Sequence, residues 1–328
     1  MNLKQLLLLS ILLCTSTILP MAGARAQFFK WTPRITAGTA CAVSCIPLGA
    51  MLKQAYNSND DSSLIKAPDT VEQFVRNKLY VHRVNSAENL KIEMYPPTDN
   101  MYSGNITALK PLKGSAKITF DHQIAQEFSN VLQNNNTLEN NKIIKLNDTI
   151  LNHEIGHLKD PFYRNLLYCA IPIPLTVQLG MQLSKKIIQL TPAQTIPGLL
   201  FRCGVSIVPS IATRCFLDLQ LRMAMLRQLE SNADNYAFVT TTDPEGLRLF
   251  ADWLEKAELV RMAKTSSDSD IEKAKNYSNL SQTDQLYLKF KYLREAQPLA
   301  SHPLGLERAA KARKAALALE EQQKSQQK

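Results

Sequence analysis

Val71, Phe74, Val75 and Leu79 recur at intervals of three and four, which puts them on one helical face and predicts a helix over residues 70–80. The interval then shortens to two. Leu90, Ile92 and Met94 alternate with more polar neighbours, as in a half-buried strand over 90–95. Residues 117–120 predict a second strand, leading through Asp121 into a helix over 123–132, and the polar run from Asn134 to Thr137 reads as a loop. Helical spacing returns around 150–158, where Asn147 or Asp148 is a suitable N-cap and Pro161 a suitable stop, giving a helix of about three turns. A longer helix is expected over 219–238. The polar stretch 265–285 reads as an exposed linker with some helix, and the Ala-, Lys- and Glu-rich chain from Glu307 as a helix that frays towards its end. Few strands among many helices make an α+β fold, predominantly helical, with a small sheet.

Three apolar stretches change the picture. Residues 35–52 and 166–183 carry no charge, and 196–217 carries only Arg202 and Arg214. None is a clean run of the ~20 apolar residues that a bilayer-crossing helix needs. They read as buried helices or membrane-associated segments, so that 27–56 is an apolar N-terminal segment and 164–219 an apolar insert in a domain spanning 57–312. Lys4, the apolar run 6–13 and the small residues Ala24 and Ala26 have the pattern of an export signal over 1–26, with Gln27 as the first mature residue. Of six cysteines, Cys14 lies in that signal; Cys41, Cys45, Cys169, Cys203 and Cys215 remain, an odd set mostly in apolar surroundings, and read as buried thiols. The chain has 38 basic and 29 acidic residues, a net charge of +9. No basic-aromatic stripe accompanies that excess, so no nucleic-acid partner is expected. Much of it lies in 308–328, with 313–328 expected as a charged tail and the basic surface suited to lying near anionic lipid.

The chemistry is concentrated in His153, Glu154 and His157, an HExxH pattern on the helix expected at 150–158. Residues four apart on a helix stand one above the other, so both imidazoles can reach one Zn²⁺. Glu154, beside the first of them, can hold a water next to the metal and take its proton. Two of the chain's five histidines lie in this motif. A zinc ion that does chemistry keeps three protein ligands, so a third must come from elsewhere. Asp160 stands where the longer HExxHxxGxxH pattern requires glycine, which excludes that route. Glu230 and Asp234, four apart on the helix expected over 219–238, share a face. One of these carboxylates can bind metal while the other accepts a hydrogen bond from a ligand imidazole and fixes its tautomer.

HExxH, then Arg227, Glu230, Ala233 and Asp234 in the pattern R-x-x-E-x-x-A-D, then Ser301, His302, Pro303 and Arg308, resembles the HtpX and CAAX prenyl endopeptidase family of gluzincin metallopeptidases over 150–308. The resemblance implies a zincin-like domain with an apolar helical hairpin between the two metal-ligand helices. It implies one Zn²⁺ per chain on His153, His157 and Glu230, with Glu154 as general base, Asp234 orienting a ligand and His302 stabilising the oxyanion. It also implies a protein or peptide substrate held by an edge strand near residues 117–120. The family's Asn-Ala-Phe-Ala run before that strand is missing, and Asn105, Ile106, Thr107 and Ala108 are a distant echo of it. The expectation is a zinc endopeptidase of cell-envelope protein processing or quality control, exported, membrane-associated and facing the periplasm. Its rivals are an inner-membrane arrangement with a cytoplasmic active site, and a catalytically silent chaperone of the same fold binding misfolded envelope proteins. The intact Glu154 argues against the chaperone.

Overall fold

A computed structural model describes residues 63–84, 87–97, 106–109, 116–134, 137–159, 223–264, 266–295 and 303–327, with single helical positions at 178, 182, 186 and 220. By its contacts the chain divides into two compact units, 54–165 with 223–328, and 1–53 with 166–222. All elements named below belong to the first. The expected export signal, the apolar segments apart from positions 178 and 182, the cysteines and His302 lie outside the described residues. Among the described residues no helix is long and apolar enough to cross a membrane.

The chain is mostly helical, with one small mixed sheet. Strands β1 (Ile65–Lys66), β2 (Lys91–Met94), β3 (Ile106–Leu109) and β4 (Lys117–Phe120) lie in the order β1-β2-β4-β3. The β2–β4 pair is parallel, whereas β1 and β3 run antiparallel to their neighbours. Strand β4 therefore sits inside the sheet, and Ile118, Thr119 and Phe120 are all buried, as expected of a strand covered on both faces. The edge strands are β1 and β3, and the one beside the 150–158 segment is β3, one element earlier than the sequence suggested. Its four residues show no alternation that would mark them as a strand.

Helix α1 (Asp69–Val81) buries Val71, Val75 and Leu79 at the expected spacing. Helix α2 (His122–Gln133) starts at Asp121, whose carboxylate accepts from the Gln123 backbone N–H at 2.9 Å. Phe74 and Phe128 pack edge to face, 5.2 Å between centroids, in one core with Ile92, Ile118 and Phe120.

Helix α3 (Leu138–Lys159) begins about three turns before the expected start. Asn147 and Asp148 are not its N-cap but lie within it; Thr137 caps it, its Oγ accepting from Asn140 N–H at 3.1 Å. Asn140 and Asn141 are weak helix formers, but Ile143, Ile144 and Leu146 continue the helical spacing, and packing decides the outcome. From Asn147 to Leu158 nearly every residue is buried, so α3 is the central helix of the unit.

Residues 223–240 form α4. Helix α5 (Pro244–Met262) follows after a short turn, with Pro244 in its first turn and the Asp243 carboxylate capping Glu245 N–H at 2.9 Å. The polar stretch 265–285 is not a linker. It forms α6 (Asp268–Lys275) and the start of α7 (Gln282–Glu295), and Ala274 and Tyr277 join Met262, Leu288, Leu304 and Leu306 in a second core. Helix α8 (Gly305–Gln326) runs along α5 without fraying at 312. Ala312 and Ala316 are buried, and Arg313 binds Asp252 and Glu255, so the expected charged tail is part of the packed unit.

Candidate metal centre

Two helices bring the donors together. His153 and His157 stand one turn apart on α3, with their Nε2 atoms 3.2 Å apart. Glu230 reaches across from α4, its Oε2 3.5 Å from His153 Nε2 and its Oε1 3.4 Å from His157 Nε2. One ligand atom from each of the three residues lies within 4.8 Å of the others, an arrangement able to hold a metal ion. The approach of α3 and α4 depends on Gly156, inside the HExxH segment. A Cβ there would stand 2.9 Å from Ala233 Cα and 3.1 Å from Tyr236 Cβ. Glycine facing alanine lets the backbones come close enough for a short carboxylate side chain to meet both imidazoles.

Asp234, one turn beyond Glu230, takes up the other side of His153. Its Oδ1 lies 2.9 Å from His153 Nδ1, although the ring is turned so that its N–H is not aimed straight at the oxygen. A slight ring rotation would make this the hydrogen bond that fixes the tautomer with Nε2 towards the metal position. Arg308, on the first turn of α8, grips the same carboxylate with two hydrogen bonds, Nε to Oδ2 at 2.7 Å and Nη2 to Oδ1 at 2.8 Å. Its Nη2 also lies 3.9 Å from Glu230 Oε2. Helix α8 is itself anchored by Glu258, whose carboxylate accepts from Gly305 N–H at 3.1 Å. Phe250 of α5 stands behind the His153 ring, 6.3 Å between centroids.

Glu154 is almost fully buried. Its Oε1 lies 4.0 Å from His153 Nε2, and its Oε2 accepts from the Ala108 backbone N–H of β3 at 2.7 Å. Burial raises its pKa to about 7, against the opposing pull of His153 and the Ala108 N–H. For His153, burial disfavours the proton, but the Asp234 and Glu230 carboxylates outweigh it and carry the imidazole up to about 9. Burial and the charge on His153 push His157 down to about 4. Asp234 stays below the usual carboxylate range because His153 and Arg308 overcome its burial.

The structure thus brings His153, His157, Glu230, Glu154 and Asp234 to one place, while His302 falls outside the described residues. The sequence noted Arg308 only as part of a motif, because a buried arginine in an Ala-rich helix looks like a solvated one. Ala108 acts through its backbone, which leaves no signature in residue type. No family model, curated protein or solved structure matches the chain.

Proposed function

We propose that the protein is a zinc-dependent endopeptidase with a zincin-like site. The observation that supports this most directly is the donor triangle. Nitrogen and oxygen ligands ~2.0–2.2 Å from a tetrahedral Zn²⁺ are separated by about 3.3–3.5 Å. The separations of 3.2, 3.4 and 3.5 Å between His153, His157 and Glu230 match those edges. Three ligands leave one position open, as chemistry at the metal requires.

Bound there, Zn²⁺ supplies Lewis acidity, making water a stronger acid and polarising a carbonyl. Glu154, with a pKa raised by burial to about 7, is suited to take a proton from the attacking water and pass it to the departing amine. Asp234 and Arg308 hold His153 in the required tautomer and orientation. The β3 edge offers backbone groups to an extended peptide, which favours a polypeptide substrate. His302 retains the role implied by the resemblance, stabilising developing negative charge on the substrate oxygen. Export by the 1–26 signal and action on envelope proteins are part of the same proposal; N-terminal sequencing of the mature protein should begin at Gln27.

The decisive test is a pair of variants. Glu154→Gln keeps the metal site but removes the base, and should retain zinc while losing casein or peptide cleavage. Glu230→Gln replaces a ligand by a poor one and should lose zinc in metal analysis after dialysis. Unchanged cleavage by Glu154→Gln would remove the proposed mechanism, whereas no cleavage by the wild type would leave a binding protein of the chaperone kind.

A further inference from the structure

Glu154 turns its two oxygens to different neighbours. Oε2 accepts from Ala108 N–H at 2.7 Å, whereas Oε1 faces the candidate ligands, 4.0 Å from His153 Nε2. Strand pairing explains why this N–H is available. Ala116, just before β4, and Phe120, at its end, direct their carbonyls to β2, accepting from Lys91 and Tyr95. The intervening Lys117 and Thr119 therefore face β3, opposite Leu109 and Thr107. Ala108, between those two, turns its N–H away from β4, off the free edge of the sheet. Such edge groups ordinarily face solvent. This one meets a carboxylate whose side chain is only 11% exposed.

We propose that the Ala108 backbone N–H is a positioning group for the general base, fixing Oε2 so that Oε1 stays turned towards the metal centre. The proposal rests on the peptidase reading above. A strand amide suits the task because it has no rotamers of its own, and hydrogen bonds to a charged acceptor are among the stronger ones. The last torsion of a glutamate is broad, so an unheld carboxylate samples orientations with neither oxygen well placed. One anchored oxygen removes that freedom before the water arrives.

Ala108→Pro removes the N–H without touching the β4 ladder, a change an edge strand accepts where the N–H points outward. Ala108→Ser keeps the N–H. We expect Ala108→Pro to retain zinc and a KM within about twofold, with kcat lower by about 10- to 100-fold, the scale of a misplaced catalytic group. Ala108→Ser should restore the rate. A second readout needs no turnover: amide hydrogen exchange at Ala108, followed by NMR in the metal-free and zinc-loaded protein. The amide should be protected in the wild type and in Glu154→Gln, whose amide oxygen still accepts, and should lose protection in Glu154→Leu. Fast exchange in the wild type, or unchanged protection in Glu154→Leu, would overturn the proposal. Equal rates for the proline and serine variants would do the same. Loss of zinc from Ala108→Pro would also sink it, making the strand a support of the metal ligands. If the wild type cleaves no peptide, the peptidase reading fails, while the exchange data still decide whether β3 holds Glu154.

Discussion

His153, Glu154, Asp234 and Arg308 are all buried within one centre, so each charge there depends on its neighbours. Near pH 8, His153 carries a proton, with its pKa about 9, while Glu154, at about 7, is mostly ionised and His157, at about 4, is neutral. A metal ligand must be unprotonated, so under the proposed function zinc would have to displace the His153 proton. Calorimetry at pH 8 in buffers of different ionisation heat should show about one proton released per zinc. Below pH 9 the apparent affinity should fall as pH falls, by about tenfold per unit while this one group titrates. An affinity independent of pH between 7 and 9 would mean that His153 is already neutral. The Arg308 contact can be tested separately. Arg308→Met leaves Asp234 buried without the two hydrogen bonds from Arg308, and breaking a buried pair costs about 3–5 kcal/mol. Zinc affinity should fall about 10- to 100-fold, as for other lost partners of ligand-orienting groups. Chelator competition measures this, and unchanged affinity would confine Arg308 to a structural role.

Between elements, the spacing of α3 and α4 is the critical quantity. In an isolated helix Gly156→Ala would be stabilising by about 1 kcal/mol, since alanine is the better helix former. Here the added methyl would stand 2.9 Å from Ala233 Cα, a backbone atom that cannot swing aside. The clash wins. Gly156→Ala should destabilise the protein by about 1–3 kcal/mol, the usual range for overpacking. It should also weaken zinc binding, because Glu230 lies one turn from Ala233 on the helix that must retreat. Thermal unfolding of the metal-free protein and zinc titration separate the two effects. Lost stability with normal affinity would show that the Glu230 side chain reaches the histidines without the close approach.

For the whole molecule, the last helix closes the described unit. Residues from Arg313 onward bind back at several points: Arg313 to Asp252 at 2.8 Å and to Glu255, Arg248 to Glu320, and Gln323 Nε2 to the Thr242 carbonyl at 3.0 Å. Ala316 is fully buried between them. The ion pairs alone contribute little, since most are partly exposed. The packed helix face contributes more through apolar burial. Deleting residues 313–328 should therefore lower the melting temperature by several degrees, at about 2–4 °C per kcal/mol for a domain of this size. A deletion with no thermal effect would restore the reading of 313–328 as a tail.

Hydrophobic spacing alone located α1, β2, β4 and α2 to within a residue or two, because each has one clear periodicity and a recognisable end such as Asp121. The same local logic identified His153, Glu154 and His157, whose spacing is a property of one helix. The carboxylates Glu230 and Asp234 were legible as a pair sharing a face, with their separate roles given only by resemblance. What the sequence could not settle is decided by contacts between distant segments. The first half of α3 and the stretch 265–285 fold because their faces find partners across the unit, which outweighs weak local preference. The burial of Arg308 against Asp234, and the meeting of the Ala108 amide with Glu154, involve groups 74 and 46 residues apart. Neither a buried guanidinium nor a backbone N–H differs in residue type from an ordinary solvated one. Only tertiary structure, by removing water from one side and supplying a charged partner on the other, makes them parts of the centre.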